Sequence, residues 1–394
     1  MESILLTIEV ATEAAQKEEL PEHWRIKLLD ATTNLVTALQ KPKDVLVREA
    51  FWLGRFMAMR VLHQLGVFRK IVEKGSVTSA ELAKDSQADQ LLLERFLRVM
   101  TASGYVTELD DTTYGPNKLT TALVDRHMEG MVEAIFDMGI KTMAMMPDFL
   151  AKTGYKNPDD QFHGPLQYRY ESPGQDFFSI LIARPALLEA FTSFFEGDKV
   201  GKPDWVDWFP VKERLLDDPT ISLEKNGVLF VDVAGGRGQD LLAFKRRFPE
   251  YPGKYHLFDQ PHIVRDHTLD LGDRVEKISF NFFQDQVTPG ARLYYMKFIM
   301  HDWSDEKCLL ILSNVTTSMK KGFSQLIIED YILPTTGTTT LPAIWDMQMM
   351  TYLAAMERTE KQWRALLGKA GLSIEGFYQP PHDGTGIIVT ELKQ

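Results

Sequence analysis

A chain of 394 residues, 44% of them hydrophobic, is long enough to bury a large core and to divide into two domains. Its formal charge of −11 argues against partners that present rows of phosphate, whether nucleic acid or an anionic membrane surface. A single cysteine, Cys308, excludes an intramolecular disulfide framework and a cysteine-rich metal site; no metal is expected, and a reducing, cytoplasmic setting is.

The N-terminal stretch MESILLTIEVATEAAQKEEL has one short apolar run without a basic leader, so neither a signal peptide nor a membrane span of about 20 apolar residues is expected. Residues 1–120 read as a helical domain. In DVLVREAFWLGRFMAMRVLHQLGVFRKIVEKG, the residues Val45, Val47, Phe51, Leu53, Met57, Val61, Leu62 and Leu65 recur at roughly helical spacing, and Ser79 is positioned to cap the next helix. A second periodic run over 88–104 stops at Gly104 and leads into two short β-prone stretches around Asp110 and Asp111. That order is a winged-helix pattern. Its 88–104 helix offers only Glu94, Arg95 and Arg98 as charges where phosphate contacts need a basic face, which favours a packing or dimerisation module over a DNA reader.

Residues 121–394 form a second domain that begins with a helical insert over about 121–215, rich in methionine, aromatics and proline. Methionine fills irregular space and tolerates varied shapes, so Met143, Met146 and Phe178 are candidates to line a pocket for a bulky apolar ligand, with ordinary core as the alternative.

From Val228 the texture changes. Strand-like runs (VLFVDV, KYHLFD, ARLYYMKFI, SQLIIEDYIL) alternate with helical ones (DLLAFKRRFP, DEKCLLILSNVTTSMKKG), the pattern of βαβ units in a doubly wound α/β sheet. The first strand runs into VAGGRGQD. There Gly235, Gly236 and Gly238 let the backbone turn sharply and let a ligand approach the amide groups of the next helix, while Asp259, ending the second strand, is placed to accept from ribose hydroxyls. A dinucleotide would want a third glycine where Leu241 stands. Two C-terminal strand runs in LSIEGFYQPPHDGTGIIVTELKQ form a closing hairpin, and a Rossmann-like sheet closed this way is the expected shape of an S-adenosylmethionine-binding methyltransferase.

The motifs VDVAGGRGQDLLAFKRRFPEYPGKYHLFDQP, YYMKFIMHDWSDEKCLLIL, LIIEDYILP and MERTEKQWRALLGKAGL resemble, in order and spacing, small-molecule O-methyltransferases of the plant caffeate and isoflavone type. TGYKNPDDQFHGPLQY and the Asp-Met pair in IWDMQMM narrow the resemblance to the fungal branch that tailors polyketides and related metabolites. It covers nearly the whole chain. The family carries an N-terminal winged-helix dimerisation domain, so a homodimer acting on a small molecule with S-adenosylmethionine is implied.

By this resemblance His301, in HDW, would take a proton from the acceptor hydroxyl, work suited to imidazole near neutral pH. Asp330 and Glu357 would hold it, with Glu329 disfavoured because neighbouring strand residues face opposite ways. Ser304 is expected to cap the helix after HDW, and Thr359 with Gln362 to form a capping box. Lys297 matches a position near the cofactor, although taken alone it reads as a solvated charge at a strand end. Trp303 would either stack on adenine or pack in the core. Met347 and Met350 join the candidate pocket lining. Two departures stand out. Ala234 replaces the first glycine of the usual triplet, a mild change where its backbone is unstrained. Asn281, beside Phe282 in FNFFQD, replaces an aspartate that accepts from the adenine amino group, which implies weaker cofactor binding. Some members resembling this family instead catalyse dehydration or pericyclic ring closure, which needs the cleft and a positive charge but no base.

Overall fold

The computed structural model describes residues 2–17, 21–197, 203–217, 222, 224, 226–266, 268–380 and 384–393. The chain divides into two units, Met1–Thr121 and Ala122–Gln394.

In the first unit, helices span Glu2–Gln16, Glu22–Leu39, Pro42–Gln64, Val67–Lys74, Ser79–Ser86 and Gln90–Ala102. The strands β1 (Val77–Thr78), β2 (Thr107–Glu108) and β3 (Thr113–Gly115) pair antiparallel in the order β1-β3-β2. The long apolar run is two helices, not one, because Gly66 takes a φ of 68° that ends the first. The cap before Ser79 is Thr78. Glu81 stands three residues beyond Thr78 and returns a bond to its backbone, closing a capping box, while the Ser79 hydroxyl donates to Glu94 at 2.8 Å. Leu62, Phe68, Ile71, Leu93 and Leu97 are buried, whereas Phe51 is 76% exposed and Val47 and Leu53 also lie open.

In the second unit β4 (Val228–Val233), β5 (Lys254–Asp259), β6 (Val275–Ser279), β7 (Leu293–Lys297), β8 (Gln325–Asp330), β11 (Leu372–Tyr378) and β12 (Gly386–Leu392) make one sheet ordered β11-β12-β8-β7-β4-β5-β6. The five strands from β8 to β6 are parallel, and the β11–β12 hairpin closes the edge antiparallel. Between β8 and β11, β9 (Ile332–Leu333) pairs with β10 (Arg358–Thr359).

Alternation along each strand builds two cores. Val231, Tyr294, Leu326 and Ile328 pack against Cys308, Ile311, Trp363 and Leu366 from the helices Asp305–Thr316 and Glu360–Lys369. Phe230, Tyr295 and Ile327 face the other way, onto Trp205, Leu241 and Phe244. A third core joins the helical insert to the Thr340–Leu353 helix, where Met138, Phe177, Phe191, Met349 and Tyr352 meet. No helix of the described residues is long and apolar enough to cross a membrane.

Candidate active site

The glycine turn leaves β4 at the carboxyl edge of the sheet, where doubly wound folds bind ligands. A Cβ on Gly235 would lie 2.2 Å from Asp232 Cγ, so only glycine fits that close approach. At Gly236, φ is +61° and a Cβ would meet nothing within 4 Å, so the turn is uncrowded there. Gly238, φ +88°, caps the Gln239–Arg247 helix. The amides of Gly236 and Gln260 each donate to the Asp259 carboxylate at 2.7 Å, which fixes it at the end of β5. Burial pushes the Asp259 carboxyl above its ordinary range against those hydrogen bonds.

Ala234 departs from expectation. Its φ of 57° puts a side chain in the left-handed region, so the replacement is strained rather than mild. Ala234→Gly is therefore expected to stabilise the protein by about 0.5–1 kcal/mol, a rise of roughly 1–3 °C in Tm. A fall in Tm on calorimetry would contradict the strain.

Asn281 serves its own loop. Its Oδ1 accepts from Phe283 N at 3.0 Å and its backbone N–H donates to Asp285 Oδ2 at 2.8 Å. Phe282 and Phe283 pack edge-to-face on Trp303, with centroids 5.7 and 4.7 Å away, forming an aromatic wall beside the turn that follows β6.

His301 lies on a short 3₁₀ turn, Met300–Asp302, between β7 and the Asp305–Thr316 helix. Ser304 occupies that helix's cap position, but its side chain makes no capping bond. The imidazole is 7% exposed and stacks on Phe298. Its Nδ1 is hydrogen-bonded to Glu357 Oε1 at 2.8 Å and lies 3.5 Å from Asp330 Oδ1; Nε2 lies 3.3 Å from Asp302 Oδ1. The strand and loop geometry explains this convergence. Asp330 ends β8 on the face of Ile328, towards the His301 turn, and the parallel β9–β10 pairing of Ile332 with Arg358 draws Glu357 alongside. Thr359 and Gln362 form the capping box that starts the helix beyond.

Burial opposes a charge on His301, yet Asp330, Glu357 and Asp302 outweigh it and raise its pKa to about 10. Burial also raises Asp330, to about 7, and Asp302, to about 6. Among the described residues neither oxygen of Asp330 accepts a hydrogen bond, so His301 compensates its charge through space.

Glu329 points to the other face of the sheet. It accepts from Tyr295 and from Thr385 at 2.7 Å and pairs with Lys297 at 3.0 Å. Lys297 is not a solvated strand-end charge: it also meets Asp240 at 3.2 Å, and although burial opposes its charge, Glu329 and Asp240 hold its pKa above the ordinary value. Of the candidate lining residues, Met143, Met146 and Met350 are half-buried, while Phe178 and Met347 are exposed. Arg358 is a further residue of the site that no sequence motif marks. It is 1% exposed, donates to the carbonyls of Met300 and Trp303 at 2.6 and 2.8 Å, and pairs with Asp305, clamping the His301 turn from both sides. Its only sequence signal was its place between Glu357 and Thr359.

A parallel sheet with a glycine turn, an acid ending the second strand and a closing hairpin defines the methyltransferase class of nucleoside-binding folds. An O-methyltransferase domain model matches residues 215–373. The O-methyltransferase penC of Penicillium thymicola is 31% identical over 99% of this chain and 97% of its own. The chain therefore belongs to the O-methyltransferase family. LepI, solved in complex with S-adenosylmethionine, is 26% identical with a TM-score of 0.87, covering 100% of this chain and 99% of that one. A structure described as a pericyclic reaction enzyme matches at the same identity and TM-score over 100% of both chains. The residues here fit S-adenosylmethionine: the Asp259 carboxylate, fixed at the end of β5, could accept from ribose hydroxyls, the backbone at Gly236 is uncrowded, and Phe282, Phe283 and Trp303 present an apolar surface that could take a base.

Proposed function

We propose that the protein transfers a methyl group from S-adenosylmethionine to a hydroxyl of a small secondary metabolite, polyketide-like or aromatic, with His301 as the general base. The observation that carries this reading is the buried imidazole set among Glu357, Asp330 and Asp302 at the carboxyl edge of the sheet. When bound, the cofactor supplies a methyl group activated by a sulfonium. His301 supplies the proton acceptor, Glu357 and Asp330 orient its ring through Nδ1, and Phe298 fixes the ring plane. The test is transfer of a labelled methyl group from S-adenosylmethionine to a panel of phenolic acceptors; label should appear as an aryl methyl ether, and no transfer across the panel and the natural biosynthetic intermediate would overturn the reading.

A base must start neutral, and His301 keeps its proton until well above pH 6.5. Turnover should climb with pH as the ring deprotonates, and removing a carboxylate that favours the imidazolium should shift that climb to lower pH. Histidine NMR should place the His301 midpoint far above its ordinary 6.5 in the wild type and at least one pH unit lower in Asp330→Asn. A wild-type midpoint near 6.5 would contradict this account of the charge cluster.

The same retained proton supports a second reading, dehydration or pericyclic closure, in which an imidazolium holds a substrate carbonyl. The likeness to a pericyclic reaction enzyme points the same way.

We read residues 1–120 as a winged-helix-like dimerisation domain and 121–394 as the methyltransferase domain, with Met143, Met146, Phe178, Met347 and Met350 lining the acceptor pocket. The buried free thiol of Cys308 suits a cytoplasmic enzyme. The exposed side chains of Val47, Phe51 and Leu53 call for a covering surface, and a second copy of the chain supplies it. Sedimentation should give a dimer at micromolar concentration that dissociates on Phe51→Glu with Leu53→Glu; a wild-type monomer would contradict it.

A further inference from the structure

A base that takes a proton at every turnover must lose it again, and His301 is enclosed. Its Nδ1 is engaged by Glu357 and Asp330, both 0% exposed at the side chain, and its ring face lies against Phe298. On the Nε2 side stands Asp302, whose side chain is 23% exposed. That carboxylate also lines a cavity of about 650 Å³, walled by the segments 157–162, 302–307 and 353–356 with Arg358. The other charged group at the turn, Arg358, is directed to the Met300 and Trp303 carbonyls and to Asp305, so it holds the turn without facing the imidazole nitrogens.

We infer that Asp302 is the proton exit of His301, passing the proton from Nε2 to water in the cavity bounded by residues 157–162 and 353–356. The inference rests on His301 acting as the base. In the step, the Nε2–H bond breaks as an Oδ1–H bond forms; Asp302 then gives the proton to water and returns to a carboxylate, while the ring is left neutral. Burial raises Asp302 to about 6, so the carboxyl can hold a proton transiently near neutral pH. The transfer runs uphill, because the carboxylates around His301 hold the proton on the ring more tightly than Asp302 does. Asp302 thus acts through His301, receiving the proton from Nε2.

Proton NMR on the intact protein tests this without an acceptor. The two ring N–H resonances of His301 are assigned by their loss in His301→Ala, and their exchange with water is read by saturation transfer. Asp302→Asn should slow Nε2–H exchange at least tenfold while Nδ1–H exchange stays near wild type, and Asp302→Glu should keep the wild-type rate. Asp302→Ala should be slow and recover on adding formate. Unchanged Nε2–H exchange in Asp302→Asn, or an equal slowing of both ring protons without rescue by formate, would overturn the exit. Because no methyl group moves in this experiment, its failure is separable from failure of the methyl-transfer reading.

Discussion

His301→Ala should cut methyl transfer by about 10²–10⁴, the usual contribution of a positioned general base, while cofactor affinity stays within about twofold of wild type. The split follows from where the groups sit. The glycine turn and Asp259 belong to β4, β5 and the Gln239–Arg247 helix, whereas His301 hangs from the turn after β7 and contacts none of them through a hydrogen bond or ion pair given above. An acceptor hydroxyl attacking a sulfonium methyl must lose its proton as it attacks, and alanine offers nowhere for that proton to go. Glu357→Gln should cost less, because the amide keeps a bond to Nδ1 and removes only the charge. The readouts are single-turnover rate and cofactor calorimetry. A parallel collapse of affinity and rate in His301→Ala would mean that the residue shapes the cleft rather than taking a proton.

Asp259→Ala should show the opposite pattern. Each hydrogen bond to a charged acceptor contributes roughly 1.5–3 kcal/mol, so removing the carboxylate should weaken cofactor binding at least tenfold. The turn amide of Gly236 also loses its partner, which adds to the loss. Single-turnover rate at saturating cofactor should fall much less than affinity. Unchanged affinity by calorimetry would remove Asp259 from the cofactor site.

The sequence carried the parts of this site that depend on local pattern. Three glycines after an apolar strand announced the turn, and strand parity separated Asp330 from Glu329, as their opposite faces show. The capping box at Thr359 was visible for the same reason, since both partners lie within one turn. What stayed hidden depends on groups distant in sequence. Lys297 looked solvated because nothing nearby in sequence reveals Asp240 and Glu329 closing on it. The bond from Phe283 N to the Asn281 amide oxygen depends on how the loop after β6 folds, which the residue type alone does not reveal. The strain at Ala234 is a backbone angle, and residue identity alone left it open. Arg358 spans from β10 to the Met300–Asp302 turn, a contact that exists only after β9 and β10 pair.

Methyl transfer from the cofactor is the central claim, and the mass of the product formed by the wild-type protein from its biosynthetic intermediate tests it most directly. Parallel incubations would contain S-adenosylmethionine or S-adenosylhomocysteine. The account predicts a product heavier by one methyl group with S-adenosylmethionine, and unreacted intermediate with S-adenosylhomocysteine. An isomer or a dehydrated product formed equally with either cofactor, and carrying no added methyl, would contradict it.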